Sequence, residues 1–372
     1  MILFIVIFLL CIIIYPIKEK TITFGANYYK HSATHRVIGN NKKVYLIFIM
    51  TILTMVCGLR DRTIGVDTIA YVKTFESQSV LNTVLLNGED KFEIGYKLLV
   101  QIVHIFTNNA NCFIFVCSVI TFVGLYIFIK ENCRDNYQIA ILIFMAFLYY
   151  TTFSAIRQSI ALAIGINSIT FLKRKNWIKA SILIILGAFF HLTELALLIM
   201  VPLSMTKWAK KKIFWAIGIA VAAVGSFQRI MLVITKYFPV YDRYVSSDLM
   251  NYEGSLIGLF SILTAVLIGL SIYILVRNYS MYDEKSKNIM ILAITGSIFA
   301  VAFDLISHQY AMLGRVTRFF IPYIMVLATN VYNDIKYKKL FCFFVIIITG
   351  VYFVTKMSAN VYQIIPYSTF IG

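Results

Sequence analysis

Residues 112–129 read CFIFVCSVITFVGLYIFI, an uncharged run closed by Lys130 and Glu131. A surface helix of a soluble domain keeps one polar face, whereas a helix apolar all round belongs in a core or a membrane. The length of this run approaches the roughly 20 residues that cross the hydrocarbon layer of a bilayer. Similar runs recur along the chain, in which 60% of residues are hydrophobic and 14% charged, with a mean hydropathy of +0.81. A soluble domain keeps about a quarter of its residues charged, so the natural solvent of this chain is hydrocarbon. The runs are continuous, unlike the short alternating strands of a membrane barrel. Helices satisfy their backbone groups internally, as lipid requires. The fold class is therefore an all-α polytopic membrane protein, with a single membrane domain over 1–372.

Apolar runs between charge clusters predict twelve spans, near 1–15, 43–59, 112–129, 137–153, 155–172, 177–190, 192–206, 212–230, 256–276, 287–305, 316–333 and 339–355. Residues 1–15 have neither a basic leader nor a small-residue cleavage site, and read as a first span. The apolar stretch 94–106 is interrupted by Lys97, Gln101 and His104. Polar groups on a lipid-facing span are costly, so this stretch is expected as a re-entrant or interfacial helix. It lies within one large outer loop, 60–111; the other is 231–255.

The formal net charge of +17 would suit a nucleic-acid partner. The basic residues instead form short clusters at span ends, the pattern of cytoplasmic loops, and no nucleic-acid partner is predicted. With the 16–42 loop placed in the cytoplasm, 22 of the 34 basic residues fall on that side, and both termini face outward. The six cysteines form neither a disulfide framework nor a metal-ligand spacing. No Walker loop, HExxH motif or nucleotide-binding glycine fingerprint is present. The sequence therefore points to no ATP, metal or nicotinamide cofactor.

The basic residues assigned to the outer side fall in compact strings. GLRDRTIGVDT, residues 58–68, holds Arg60 and Asp67; it reads either as a turn presenting donors and a carboxylate or as a charge-balanced loop. SAIRQSIA, residues 154–161, opens a span with Arg157 and Gln158. Its arginine is a binding group or one snorkelling to the interface. In FHLTE, residues 190–194, His191 can take a proton from a hydroxyl near neutral pH or serve as a structural turn histidine. Arg315 and Arg318, three apart at a span start, can form a fork for phosphate oxygens; Asp304 and His308 before them can instead neutralise the pair. Glu93 heads the 94–106 stretch within FEIGY, where it is either functional or half of a four-apart helix pair with Lys97. Tyr367, after Ile365 and Pro366, is an outer lid or an interfacial anchor.

Together these strings resemble the EpsG-like branch of the Wzy-type polysaccharide polymerases, which extend O-antigen, capsule or exopolysaccharide chains. The resemblance rests on GLRD running to GVDT and Tyr71, on Glu93-Ile94-Gly95-Tyr96, on Arg157-Gln158 with Ile160-Ala161, on Phe190-His191, and less specifically on Arg315, Arg318 and Pro322-Tyr323. The family's usual F-H-x-S-A appears here with Thr193 and Glu194, which leaves the role of that turn open. The resemblance implies a GT-C-like architecture in the bacterial cytoplasmic membrane. It also implies glycosyl transfer on the outer face, from undecaprenyl pyrophosphate to a hydroxyl of a lipid-linked repeat unit, without a metal. Arg60, Arg157, Arg315 and Arg318 would bind the pyrophosphate. His191 or Asp67 would act as base with Glu93 in reserve, and Gln158 and Tyr367 would contact substrate. Membrane lipid, a chain-length regulator and a flippase are the partners such an enzyme implies. The alternatives are a lipid-linked glycan ligase and, from a different class, a polysaccharide flippase or transporter.

Overall fold

A computed structural model of the chain describes residues 1–16, 40–77, 92–133, 136–205, 209–237, 255–308 and 313–371. Among these residues the secondary structure is helical, apart from an isolated antiparallel bridge between Arg60 and Thr369. Five helices are long and apolar enough to cross a membrane: Asn41–Gly58, Ala110–Asn132, Gly258–Arg277, Glu284–Ser307 and Lys338–Ala359. Several shorter apolar helices accompany them, and the protein is a membrane protein of all-helical build.

Among the described residues several of the expected apolar runs break. The 137–153 run is the α-helix Tyr137–Phe147 followed by a 3₁₀ segment, Tyr149–Phe153. The 155–172 run divides into Ile156–Gly165 and Ser168–Leu172. The 192–206 run starts as a 3₁₀ helix, Leu192–Ile199, before Met200–Met205. Conversely, the helix expected at 212–230 extends over Ala209–Tyr237. The described part of the 60–111 loop holds Thr68–Glu76 and Ile94–Phe106. With 13 residues and a rise of 1.5 Å per residue, the latter spans about 20 Å, short of a ~30 Å hydrocarbon core. Its polar groups turn toward protein: Lys97 is buried, and the His104 ring stacks on Phe75 with centroids 3.9 Å apart.

Burial divides the helices into centre and periphery. Every residue of Tyr137–Phe147 is buried, as is every residue from Phe319 to Val331 on the helix Gly314–Asp334. Such central positions tolerate polar side chains that lipid would not; the Asn330 Nδ2 donates to the Val326 carbonyl at 2.6 Å. Peripheral helices present apolar side chains outward, among them Ile262, Val266 and Val276 on one and Phe343, Phe344 and Val351 on another. Apolar exposure on this scale suits lipid contact. A second, smaller core unites Tyr71, Phe75, Tyr96, Val100, Phe113 and Ile160. It pins the short helices Thr68–Glu76 and Ile94–Phe106 to the bundle.

The helices run between two chemically different ends. At one, Lys173 Nζ donates to the Glu131 carbonyl at 2.7 Å and to Asn132 at 2.9 Å, and Tyr282 donates to Asp334 at 2.6 Å. The helices Ala110–Asn132 and Gly314–Asp334 lead from there to the other end, where Phe113 packs on Phe75 and Arg318 lies. Met1 and Ser358 approach to 3.7 Å, so the start of the chain and the end of the last long helix share one end.

Candidate active site

The centre of the site is set by a backbone contact. Helix Trp177–Ala188 ends in a turn at Phe189 and Phe190, and His191 follows in extended conformation. The Gly95 N–H donates to the Phe189 carbonyl at 2.8 Å. A Cβ on Gly95 would lie 2.7 Å from that oxygen, closer than real Cβ atoms approach, so the two backbones meet only because residue 95 is glycine. Glu93, two residues earlier, is thereby brought beside His191, two residues past Phe189.

Glu93 bridges two partners. Its Oε2 pairs with Arg157 Nη1, and its Oε1 lies 3.2 Å from His191 Nδ1. The side chains are 23%, 19% and 12% exposed for Glu93, Arg157 and His191, partly desolvated but reachable. Arg157 is the second residue of Ile156–Gly165. Its guanidinium lies 4.7 Å from the centroid of Phe92 and 5.8 Å from that of Tyr71, contacts that hold the fork in place. Burial pushes the Glu93 carboxyl upward, but the His191 hydrogen bond and the Arg157 charge outweigh it and hold Glu93 below its ordinary value. An ionised carboxylate only accepts, so a neutral His191 presents its proton at Nδ1. Its Nε2, buried and without a hydrogen-bond partner among the described residues, carries the lone pair.

Gln158 links this centre to the late arginines. Its Nε2 donates to the Arg315 carbonyl at 2.6 Å, and its Oε1 accepts from Arg318 Nη1 at 2.7 Å. Arg318 Nη2 donates to Tyr362 at 2.6 Å. The two arginines thus do not close as a fork: Arg318 turns inward to Gln158 and Tyr362, and Arg315 is exposed at the rim. Asp304 does not pair with either; it accepts from Ser261 Oγ at 2.6 Å. Below Arg318 lies a cavity of about 250 Å³.

The 58–68 string supports the centre from behind. Gly65 has φ +96°, a conformation only glycine adopts freely, and its N–H donates to the Gln363 carbonyl at 3.2 Å. Thr68 Oγ1 donates to the Phe153 carbonyl at 2.9 Å, four residues before Arg157. Asp67 is exposed and accepts from Ser154 Oγ at 3.2 Å. Two of the expected substrate-contacting side chains are engaged within the protein. Arg60 is fully buried, donates to the Cys57 carbonyl and sits 5.6 Å from the Phe153 ring centroid. Covered by the C-terminal tail through the bridge to Thr369, it cannot reach a surface pyrophosphate in this conformation. Tyr367 donates to the Val56 carbonyl at 2.7 Å and packs on Phe4, so its hydroxyl fastens the tail rather than facing substrate. The tail residue that does meet a site arginine is Tyr362, which binds Arg318 and lies in none of the sequence strings.

The family model described as the EpsG family matches residues 43–369. No curated protein and no solved structure matches the chain.

Proposed function

Because the chain belongs to the EpsG family, a Wzy-like polysaccharide polymerase family, we propose that it moves a growing glycan from undecaprenyl pyrophosphate to a hydroxyl of a lipid-linked repeat unit. The observation that carries this reading is the Glu93 carboxylate, held between Arg157 and His191 at one end of the bundle. The acceptor oxygen attacks the anomeric carbon of the donor and forms the glycosidic bond. The bond from that carbon to the pyrophosphate oxygen breaks, and the leaving group takes the electron pair. The acceptor proton passes to His191 Nε2, an atom buried in this conformation that substrate entry has to uncover, while Glu93 orients the imidazole and balances its charge, the logic of a carboxylate-oriented base. Glu93 itself is a poor base, since its environment favours the ionised form. Asp67, hydrogen-bonded to Ser154, is the second choice. Arg157, with exposed Arg315 and with Arg318 behind it, supplies fixed positive charge where the pyrophosphate develops. The scheme draws that charge from guanidinium groups and invokes no metal.

We place this end on the outer face of the bacterial cytoplasmic membrane, with both termini outside, because the Lys and Arg clusters mark the other end as cytoplasmic. A GT-C-like arrangement, a flippase supplying the substrate and a chain-length regulator belong to the same proposal. The test is the lipid fraction of a deletion strain. Single-repeat lipid-linked intermediates should accumulate and vanish on complementation. Accumulation of full-length, unattached polymer would point to a ligase and overturn the polymerase reading.

A further inference from the structure

Apart from Arg318 at its top, the cavity below that arginine is unused by the proton transfer and leaving-group chemistry described above. Its walls are aromatic: Phe147 and Tyr352 have ring centroids 4.4 Å apart, and Tyr150 and Tyr362 5.2 Å apart. Its charged groups are Asp304, Arg318 and Lys356, from three different segments of the chain, with Ser307 and Thr317 beside them. Asp304 is 8% exposed. Ser261 holds one of its oxygens, and the other accepts no hydrogen bond among the described residues. A prenyl tail would not call for three charged groups. A phosphate would be repelled by the carboxylate. A sugar ring has apolar C–H faces that suit aromatic walls and edge hydroxyls that suit a few convergent polar groups. The cavity also connects to the reacting centre, since Arg318 donates to Gln158, the neighbour of Arg157. We propose that this cavity is a subsite for one sugar ring of the lipid-linked glycan, with Asp304 accepting a ring hydroxyl and Arg318 and Lys356 donating to the opposite edge. The assignment rests on the polymerase reading, and it makes Asp304 a specificity-determining residue.

The test has two stages that separate the two ideas. If cells lacking the protein accumulate no single-repeat lipid intermediates, the polymerase reading fails and the subsite with it. If they do, the repeat-unit oligosaccharide released from those lipids by mild acid is the probe. Full-length protein in lipid nanodiscs should transfer NMR saturation to its ring protons. Asp304→Asn should weaken binding roughly tenfold, as expected for losing a charged hydrogen-bond acceptor. Val361→Trp, at the exposed rim of the cavity, should abolish binding and decides the matter if Asp304→Asn melts early. Arg157→Ala should retain binding, and excess inorganic pyrophosphate should leave it undiminished. Unchanged binding in Val361→Trp, or displacement of the sugar by pyrophosphate, overturns the subsite while leaving the polymerase reading intact.

Discussion

Gly95 donates its N–H to the carbonyl of Phe189, and this one contact seats Glu93 against His191. The glycine is required by space, not by backbone angles, because a methyl group would lie 2.7 Å from the accepting oxygen and 2.9 Å from its carbon. Both are backbone atoms and cannot swing aside. Gly95→Ala should therefore displace the helix Ile94–Phe106, cost about 1–3 kcal/mol as overpacking does, and separate Glu93 from His191. The expected outcome is loss of long polymer in a complementation assay, at near-normal protein level and with a lowered melting temperature. Wild-type chain length in this variant would show that the Glu93–His191 contact is dispensable.

Arg157→Ala removes the cation and leaves Glu93 partly desolvated with only His191 beside it. Loss of one preorganised charge-stabilising group typically slows such reactions about 10²–10³-fold, so polymer should fall to trace level. Arg157→Lys keeps the charge but not the planar fork stacked on Phe92 and Tyr71. It should give intermediate activity. Polymer of normal length in both variants would remove Arg157 from the mechanism.

The membrane class was legible because apolar runs are a local property. Breaks within them were not: Ile166 and Asn167 interrupt one run, and Leu192–Ile199 winds as 3₁₀, yet the same apolar residues would suit an unbroken α-helix. The motif strings identified Glu93, Arg157 and His191 one at a time. That they meet depends on contacts spanning 64 and 98 residues, which no local pattern encodes. Arg60 illustrates how a tail contact alters a local reading. An arginine at a span end normally faces water or headgroups, but here residues 368–370 fold back over it, with Phe370 donating to the Leu59 carbonyl at 3.2 Å and Ser368 accepting from Asp61 at 3.0 Å.

Glu93 should make stability depend on pH in a defined direction. Its folded value lies below the ordinary carboxylate value. Its contribution is therefore fully present above the unfolded carboxylate range and is lost as pH falls through the depressed folded value. Thermal melts of purified protein should show a gap between wild type and Glu93→Gln that is constant near neutral pH and narrows on acidification through that window. A gap that widens toward acid would reverse the assignment of Glu93 as the ionised member.

Gly65→Ala tests the support behind the centre. The position has φ +96°, and a Cβ there would lie 2.1 Å from the Phe153 carbonyl oxygen, so the 58–68 string would have to lift away from both Phe153 and Gln363. Limited proteolysis should then cut the C-terminal tail faster than in wild type, and polymer length should shorten. An unchanged proteolysis rate would mean the tail is held without that loop.

Glu194 closes the Phe190–Glu194 turn, and the structure shows where its bulk goes. The carboxyl sits fully buried in the space left by Gly165 and Gly187, and neither oxygen has a hydrogen-bond partner among the described residues. A buried polar group without a partner costs about 1–3 kcal/mol. Methionine matches the unbranched shape and carries no such penalty, so Glu194→Met should raise the melting temperature, whereas Glu194→Gln, still polar and still buried, should not. Polymer length should stay unchanged in Glu194→Met, because this side chain points into the Gly165–Gly187 packing and not toward Glu93. A rise in stability coupled to loss of polymer would instead assign Glu194 a role in the reaction.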